Sequence, residues 1–242
     1  MTKSNKDLAK NYDQWHSQVY QIGNLKKPDY RDISFYNLVL DLLDIKKNYR
    51  KKKKKILDIA CGKGSFLREA RKRNLSVFGI DISKIAIRKA RELVEGEFLV
   101  GNAERLPYRN ETLDYITCLG SLEHFSHPNI GIKEITRVLK KDWKALIYVP
   151  NLMFLGHIYM TWKYGIMPTE GKQSFAEIFY TYKGWKNLLE KNGLRIVNYK
   201  KYNHIYATQK INKFFIFLWE NLFRPWVPFN LSYCFLFLCI KK

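Results

Sequence analysis

The chain is 242 residues long, enough for one large domain or one domain with a small appendage, and 46% of its residues are hydrophobic, which can supply a sizeable core. Its 43 Lys and Arg against 22 Asp and Glu give a net charge of +21, which indicates either attraction to polyanions and anionic membranes or a lysine-rich solvated surface. Residues 1–10 are polar and no apolar run has the length of a membrane-spanning helix, so we expect no signal peptide and a soluble or peripheral protein.

The cysteine pattern indicates the compartment. Cys61, Cys118, Cys234 and Cys239 lie in or beside apolar runs, and their spacing is not that of metal ligands. We therefore expect four buried, reduced thiols in a cytosolic protein.

Residues 1–50 are expected to form a helical segment ahead of a main domain at 51–242. Apolar side chains between Ile33 and Leu43 recur at the spacing of one helix face. The lysine run at 51–55 then leads directly into an apolar strand. Five lysines can form a phosphate or nucleic-acid patch. We favour a solvated loop at the far end of the sheet, because the run precedes the amino end of a strand.

A strand, a glycine turn and a helix follow between residues 55 and 67. Gly62 and Gly64 allow the backbone to turn and to approach a ligand closely. The free N–H groups of the helix after them face the crevice at the strand's carboxyl end. Seventeen residues past Gly64 a second apolar run ends in Asp81, whose carboxylate can accept two hydroxyl groups of a ribose. The pattern predicts a nucleoside-binding unit.

Two residues distinguish between the nucleosides. A dinucleotide fingerprint requires a third glycine, and Leu67 occupies that position. Asp58 lies inside the first strand, where a carboxylate would repel a pyrophosphate. It can instead bind, directly or through water, the turn amides and a cationic amino group of a ligand. An amino acid joined to a nucleoside fits these residues, and S-adenosylmethionine is such a molecule.

Five motifs in order carry a resemblance to a known family. The stretch DIACGKG at 58–64 resembles motif I of the class I S-adenosylmethionine-dependent methyltransferases of the type 11 kind, with Ala60 where the family often has glycine. GIDIS at 79–83 resembles the acidic end of the family's second strand. The other matches are GNAERLPY at 101–108, LDYITCLGSLEH at 113–124, and RVLK at 137–140 with the strand that follows it; a weaker match continues to the C-terminus.

The resemblance implies an α/β fold. It is a Rossmann-like seven-stranded sheet in the order 3-2-1-4-5-7-6, with strand 7 antiparallel and helices on both faces. Pattern signals agree with it: Ser83 and Pro128 stand where helices should begin, and Gly193 follows the end of another. Strand five is expected at 145–149. The final strand, at 232–240, is apolar on both faces and should therefore be central.

The resemblance also implies a cofactor site. Asp58, Gly62 and Gly64 would hold the methionine part of S-adenosylmethionine, and Asp81 its ribose. Asn102 stands where the family commonly has an acid that accepts a hydrogen bond from the adenine amino group. Its carbonyl can accept that bond without charge assistance, or Glu104 takes the role. The predicted set is completed by Ala60, Cys61 and Ile82, by Ala103 at the adenine, and by the backbone of Leu119 beside the amino acid moiety.

The loop after strand four is expected to face the methyl acceptor, because strand four lies beside strand one at the switch point of the sheet. His124 is the candidate general base or acceptor-orienting group, with Glu123 beside it. The alternative is that both residues only fix the loop. Some relatives bind a metal through Glu-x-x-Glu-His, but Gly120 occupies the first position here, so no metal site is expected.

Two stretches leave the core pattern. Residues 152–180 are rich in aromatic side chains and methionine, and in resembling enzymes an insertion here forms the substrate lid. Such a lining implies a large apolar or planar acceptor, although these side chains can also bury the insertion against the sheet. The apolar helical segment at 208–229 is flanked by basic residues. It can rest in a membrane interface, form a lid element or pack against the sheet edge.

We therefore expect a cytoplasmic S-adenosylmethionine-dependent methyltransferase with a helical cap at 1–50. The first hypothesis for its acceptor is a small-molecule or lipid-linked metabolite, with peripheral membrane contact through 211–229. The alternative is a tRNA or other RNA, motivated by the charge of +21, although the sequence has no RRM, KH or OB signature. The intact motif at 58–64 argues against a non-catalytic binding module. The methylated atom (O, N or C) and the oligomeric state stay open.

Overall fold

The computed structural model describes residues 3–21, 33–46, 53–165, 177–203, 222 and 224–242. Helices and strands alternate along most of this length. The helices are α1 Lys3–Gln21, α2 Ile33–Leu42, α3 Ser65–Lys72, α4 Lys84–Leu93, α5 Pro128–Val138, α6 Leu155–Tyr164 and α7 Tyr182–Lys191. The strands are β1 Lys55–Ile59, β2 Ser76–Asp81, β3 Glu97–Val100, β4 Leu113–Leu119, β5 Leu139–Pro150, β6 Leu194–Tyr202 and β7 Cys234–Lys241.

The strands form one seven-stranded sheet in the order β3-β2-β1-β4-β5-β7-β6. β7 is antiparallel to both of its neighbours, and the pairs on the β3 side of β5 are parallel. The predicted sheet order and the antiparallel last strand are confirmed. Because β4 lies beside β1, the order reverses between them, and the carboxyl ends of these two strands open the crevice in which such sheets bind ligands.

The core lies on both faces of the sheet. Side chains of α2, α3 and α4 pack on one face around Phe35, Phe66 and Ile87. Side chains of α5 and α7 pack on the other around Ile135 and Trp185. Residues 234–239 of β7 are all buried, which is the burial expected of a central strand that is apolar on both faces.

The predicted helix ends are confirmed. The Ser83 hydroxyl accepts a hydrogen bond from the Ala86 N–H and caps α4. Pro128 is the first residue of α5, and Gly193 follows α7 with a φ of 96°. Strand five is longer than predicted, since it begins at Leu139 and not at residue 145. The first part of β5 pairs with β4, and a register shift follows. Asp142, at this break, has a φ of 64°. Apolar periodicity does not reveal such an irregularity.

Helix α2 is tied to α3 through one buried cation. Arg73, which follows α3, is 4% exposed. It donates hydrogen bonds to Asp41 (2.6 Å), to Asn37 (2.8 Å) and to the carbonyl of Ile45. These bonds hold α2 against the end of α3.

Other expectations concern the cysteines and the lysine run. All four cysteines are buried and free, as predicted. Lys53–Lys55, the described part of the lysine run, lies at the amino end of β1, opposite the glycine turn. Within the described ranges, no helix combines the length and the hydrophobicity that crossing a bilayer requires.

Candidate functional site

The turn after β1 adopts the left-handed backbone that a close approach requires. Gly62 and Gly64 have φ angles of 54° and 79°, and Ala60 has 54° although it carries a side chain. The Gly64 N–H donates to the carbonyl of Cys61 at 3.0 Å and closes the turn. A methyl group in place of the Gly62 hydrogen would meet no atom within 4 Å, so the space above the turn is open.

Asp81, at the end of β2, is held beside this turn. One carboxylate oxygen accepts a hydrogen bond from the Gly62 N–H and the other from the Ser83 N–H, both at 2.9 Å. Burial raises the pKa of Asp81 to about 6, although these two bonds lower it, and the nearby carboxylate of Asp13 raises it further. The structure therefore places a buried carboxylate of shifted pKa where the sequence predicts the ribose acid.

Asp58 lies inside β1 and is 4% exposed. Its carboxylate accepts a hydrogen bond of 2.7 Å from the Thr117 hydroxyl on the neighbouring strand β4. Cys61 is buried as well, its N–H donates to the carbonyl of Ile80, and burial with the charges of Asp81 and Asp58 raises the pKa of its thiol. Asp58 is thus fixed in orientation by β4, and the Cys61 thiol stays protonated.

The predicted adenine residues stabilise one another. The side-chain carbonyl of Asn102 accepts a hydrogen bond from the Glu104 backbone N–H at 2.8 Å. The Glu104 carboxylate accepts one from the His127 N–H at 2.7 Å, and its other oxygen lies 3.2 Å from Nδ1 of that ring. Ala103 is partly buried against the core, and Ile82 is partly exposed. Tyr108 packs edge-on against Phe78 in the core.

On the acceptor side, Glu123 and His124 lie in a short 3-10 turn directly after β4. Glu123 is 6% exposed, and its backbone carbonyl accepts a hydrogen bond from the Ile178 N–H at 2.9 Å. The Nδ1 of His124 lies 3.8 Å from a carboxylate oxygen of Glu177 and makes no hydrogen bond to any described residue. Burial lowers the pKa of His124 to about 4, so the ring is neutral at neutral pH.

Helix α1 contributes two residues to the site. The Asp13 carboxylate accepts hydrogen bonds from the Ser83 hydroxyl at 2.6 Å and from the Ile85 N–H at 3.3 Å, and so binds the first turn of α4. Burial and the charges of Asp81, Glu123 and Glu177 together raise the pKa of Tyr12 above its ordinary value. The Tyr12 phenol is therefore near enough to all three carboxylates for their charges to act on it.

Sequence reasoning expected a helical cap at 1–50 but identified neither Asp13 nor Glu177. Asp13 reaches Ser83 across 70 residues of chain. Glu177 lies in the insertion, 53 positions after His124 in the printed sequence. No short-range pattern marks either residue.

Comparison with known proteins identifies the family. Residues 57–147 match the family described as "Methyltransferase domain". A demethylmenaquinone methyltransferase of Bacillus mycoides is 31% identical over 172 residues, which cover 61% of this chain and 73% of that protein. The chain belongs to the class I S-adenosylmethionine-dependent methyltransferases. A demethylmenaquinone methyltransferase of Thermotoga maritima is 32% identical to this methyltransferase over 136 residues, which cover 53% of this chain and 59% of the Thermotoga protein.

Solved structures share the fold of this methyltransferase. The magnesium protoporphyrin IX methyltransferase of Synechocystis PCC 6803, solved with bound SAH, has a TM-score of 0.66 at 14% identity, with 98% of this chain and 99% of that one covered. The 4+2 cyclase SpnF has a TM-score of 0.67 at 18% identity, with 98% and 97% covered. One fold thus carries different reactions, and the sequence relatives, not the fold, establish the activity.

The cofactor of this enzyme is S-adenosylmethionine. The residues at the turn fit it. The open space above Gly62 leaves room for a ligand against the backbone. The Asp81 carboxylate, buried and oriented by two N–H groups, is an acceptor suited to the hydroxyl groups of a ribose.

Proposed function

We propose that this methyltransferase transfers a methyl group to a small-molecule or lipid-linked acceptor of the quinol class. The observation that carries the proposal is that two groups of residues meet at the carboxyl ends of β2 and β4, where open α/β sheets have their ligand cleft. Asp81 and the Gly62 turn lie on the cofactor side, and the neutral His124 with Glu123 and Glu177 lies on the other. The relatives named demethylmenaquinone methyltransferase support the acceptor class.

The cofactor-side residues would bind and orient. Asp81 would accept hydrogen bonds from the ribose hydroxyl groups, and Asn102, Ala103 and Glu104 would line the adenine. The methionine part would lie over Gly62 and Gly64 near Asp58, which Thr117 keeps in place. Ala60, Cys61, Ile82 and Leu119 complete the proposed set.

The acceptor-side residues would manage a proton. S-adenosylmethionine supplies an electrophilic methyl group on a sulfonium, so the chain needs no nucleophile of its own. His124, neutral at neutral pH, can take the proton that an acceptor hydroxyl loses. Glu177 lies 3.8 Å from its Nδ1, and a shortening of this distance to a hydrogen bond on acceptor binding would stabilise the charged ring and raise its pKa.

The N-terminal helices and the insertion would enclose the cleft. Asp13 holds α1 on α4, and the charges of Asp81 and Glu123 act on Tyr12, which supports residues 1–50 as a cap. Helix α6 and Glu177 belong to the insertion at 152–180, which supports its role beside the acceptor. The proposed segment at 208–229 lies largely outside the described residues.

A transfer assay tests this function. The enzyme is incubated with methyl-labelled S-adenosylmethionine and a naphthoquinol with or without a prenyl tail. We expect label in the quinols, and we expect His124→Gln to lower kcat while S-adenosylhomocysteine still binds. Lys133→Gln, exposed on the helix that follows this loop, is the control and should leave kcat unchanged. Binding of S-adenosylhomocysteine without labelling of either quinol would refute the acceptor class.

A basic groove favours a second candidate, an RNA methyltransferase. The groove has a volume of about 530 Å³ and lies along α4 and the end of β3. Its lining consists of three cations and one acid, Lys84, Arg88, Arg91 and Glu92, with the apolar side chains of Ile87 and Val100. Together with the net charge of +21, it suits a phosphate backbone. Label transferred to bulk tRNA, with an affinity for tRNA that falls steeply as salt rises, would favour this candidate over the quinol.

A further inference from the structure

One short stretch carries much of the exposed apolar surface of the described residues. Sixteen large hydrophobic side chains are exposed among the described residues, and seven of them lie within residues 152–164. Trp162 is 80% exposed and Tyr164 is 55% exposed. We call this set the α6 surface; its residues are Leu152, Met153, Leu155, Ile158, Tyr159, Trp162 and Tyr164. A soluble monomer rarely exposes so many large apolar groups together unless they contact a partner or a membrane.

Helix α6 is anchored at its start and exposed beyond it. The Phe154 ring meets Tyr233 edge-on at 4.9 Å, and the His157 ring lies 5.8 Å from Phe179. From residue 158 to 165, every residue whose burial is described is exposed. The apolar side chains of α6 therefore do not serve to bury the insertion against the sheet.

The α6 surface lies at the edge of the sheet that holds the cleft. α6 follows the carboxyl end of β5, where the Asn151 side chain donates to the carbonyls of Asn230 (2.9 Å) and Ser232 (2.8 Å). Trp226, 82% exposed, lies just ahead of β7, whose first residue pairs with the last residue of β5. Because β5 is parallel to β4 and β1, α6 follows the same edge of the sheet at which the glycine turn lies.

The chemistry of the α6 surface matches a lipid interface. Trp and Tyr rings combine an apolar body with a polar group and favour the level of lipid headgroups. Residues 151–165 contain no acidic residue, and Lys163 lies 5.7 Å and 5.1 Å from the ring centres of Tyr159 and Tyr164. The net charge of +21 is complementary to an anionic bilayer. With 10 residues, α6 is too short to span a bilayer and can only lie on it.

We propose that the α6 surface docks the enzyme on an anionic lipid bilayer, with the mouth of the cleft turned to the lipid. A lipid-linked acceptor can then enter the site with its reactive ring while its tail stays in the bilayer. This docking mode rests on the acceptor class proposed above and gives that acceptor its route.

Vesicle sedimentation tests the docking with two matched variants. Ile158 in α6 is 39% exposed and Ile130 in α5 is 40% exposed, so Ile158→Asp and Ile130→Asp change the same residue type, exposure and charge at different places. The full chain should sediment with phosphatidylglycerol–phosphatidylcholine vesicles and much less with phosphatidylcholine alone. Ile158→Asp should weaken this binding about tenfold or more, because a charge replaces a buried apolar contact. Ile130→Asp should bind as the unchanged chain does.

Three outcomes would overturn the docking. In the first, the unchanged chain does not bind anionic vesicles. In the second, Ile158→Asp and Ile130→Asp lose vesicle binding equally. In the third, the chain forms a dimer that Ile158→Asp separates, and no vesicle binding is seen. Calorimetry with S-adenosylhomocysteine shows that each variant is folded and keeps the two proposals apart. If vesicles bind and the naphthoquinols are not labelled, the acceptor class fails alone. If a quinol without a tail is labelled and vesicles do not bind, the docking fails alone.

Discussion

Asp81→Asn tests the cofactor site most directly, because one substitution changes both the strength of cofactor binding and its pH dependence. The two Asp81 oxygens accept hydrogen bonds from Gly62 and Ser83, and a carboxylate has further lone pairs for ribose hydroxyl groups. Loss of a hydrogen bond to a charged acceptor costs about 1.5–3 kcal/mol. We therefore expect the variant to bind S-adenosylhomocysteine about 10- to 150-fold more weakly at pH 8.

The raised pKa of Asp81 predicts the pH dependence of binding. The ionised carboxylate accepts hydrogen bonds from the ribose hydroxyl groups. With a pKa of about 6, Asp81 becomes protonated as the pH falls below 6, and this acceptor is lost. At pH 5, about one molecule in eleven is ionised, so the affinity of the unchanged chain should fall about tenfold from its value at pH 8. The affinity of Asp81→Asn should stay level over this range. His16 and His124 do not interfere, because burial lowers both of their pKa values to about 4.

The same shift predicts the effect of Asp81 on folding. Its folded pKa of about 6 lies above the ordinary 3.8, so the folded state binds a proton more tightly than the unfolded state. Stability therefore falls as pH rises from 3.8 to 6, and above pH 6 the buried charge costs about 3 kcal/mol relative to the protonated form. Cofactor binding that favours the charged form offsets part of this cost.

Calorimetric titration with S-adenosylhomocysteine between pH 5 and pH 8 measures the strength of cofactor binding and its pH dependence. Asp142→Asn is the matched control, since Asp142 is exposed at the start of β5, far from the carboxyl ends of the strands, and asparagine tolerates its φ of 64°. The control should bind as the unchanged chain does. An affinity of the unchanged chain that is level from pH 5 to 8, or a variant that keeps the pH dependence, would refute the assignment of Asp81.

Three further predictions concern the turn and the N-terminal helices. Ala60→Gly should raise the free energy of unfolding by about 0.5–1 kcal/mol, because it relieves a left-handed backbone at a residue with a Cβ; a lower melting temperature would contradict this. Arg73→Met should lower the free energy of unfolding in urea by about 2–4 kcal/mol, because three acceptors around α2 lose a buried donor, and a loss below about 1 kcal/mol would argue against that role. Asp13→Ala should weaken binding of S-adenosylhomocysteine about three- to tenfold, since it removes one hydrogen bond from Ser83. Lys10→Ala, exposed on the same helix, should have no effect, and an equal loss there would show that Asp13 has no special part.

Local signals in the sequence predicted much of the fold. The Gly62 turn, the Ser83 cap and the Pro128 helix start depend on residues within a few positions of one another, and the structure has all three where the sequence indicates. The order of the strands came from the resemblance, which the sheet confirms. The early start of β5 was not predictable, because a register shift depends on the partner strand β4.

The candidate site divides in the same way. Asp81 stands at a strand end that the sequence marks, so its place followed from the pattern. Asp13 and Glu177 reach the site across long stretches of chain, and only the folded structure brings them to Ser83 and His124. The lowered pKa of His124 has the same origin, because it comes from burial among segments that are distant in sequence.

By itself the sequence determined the order of elements, the glycine turn and the acid after it, because apolar periodicity, caps and turns act over a few residues. Only the tertiary structure decided which apolar residues of 152–164 are exposed. An aromatic helix has the same composition whether it packs on a sheet or faces outward. The difference depends on tertiary contacts: Phe154 packs on Tyr233, and the apolar side chains after it are exposed. It is this exposure, and not the composition, on which the proposed docking to a lipid surface rests.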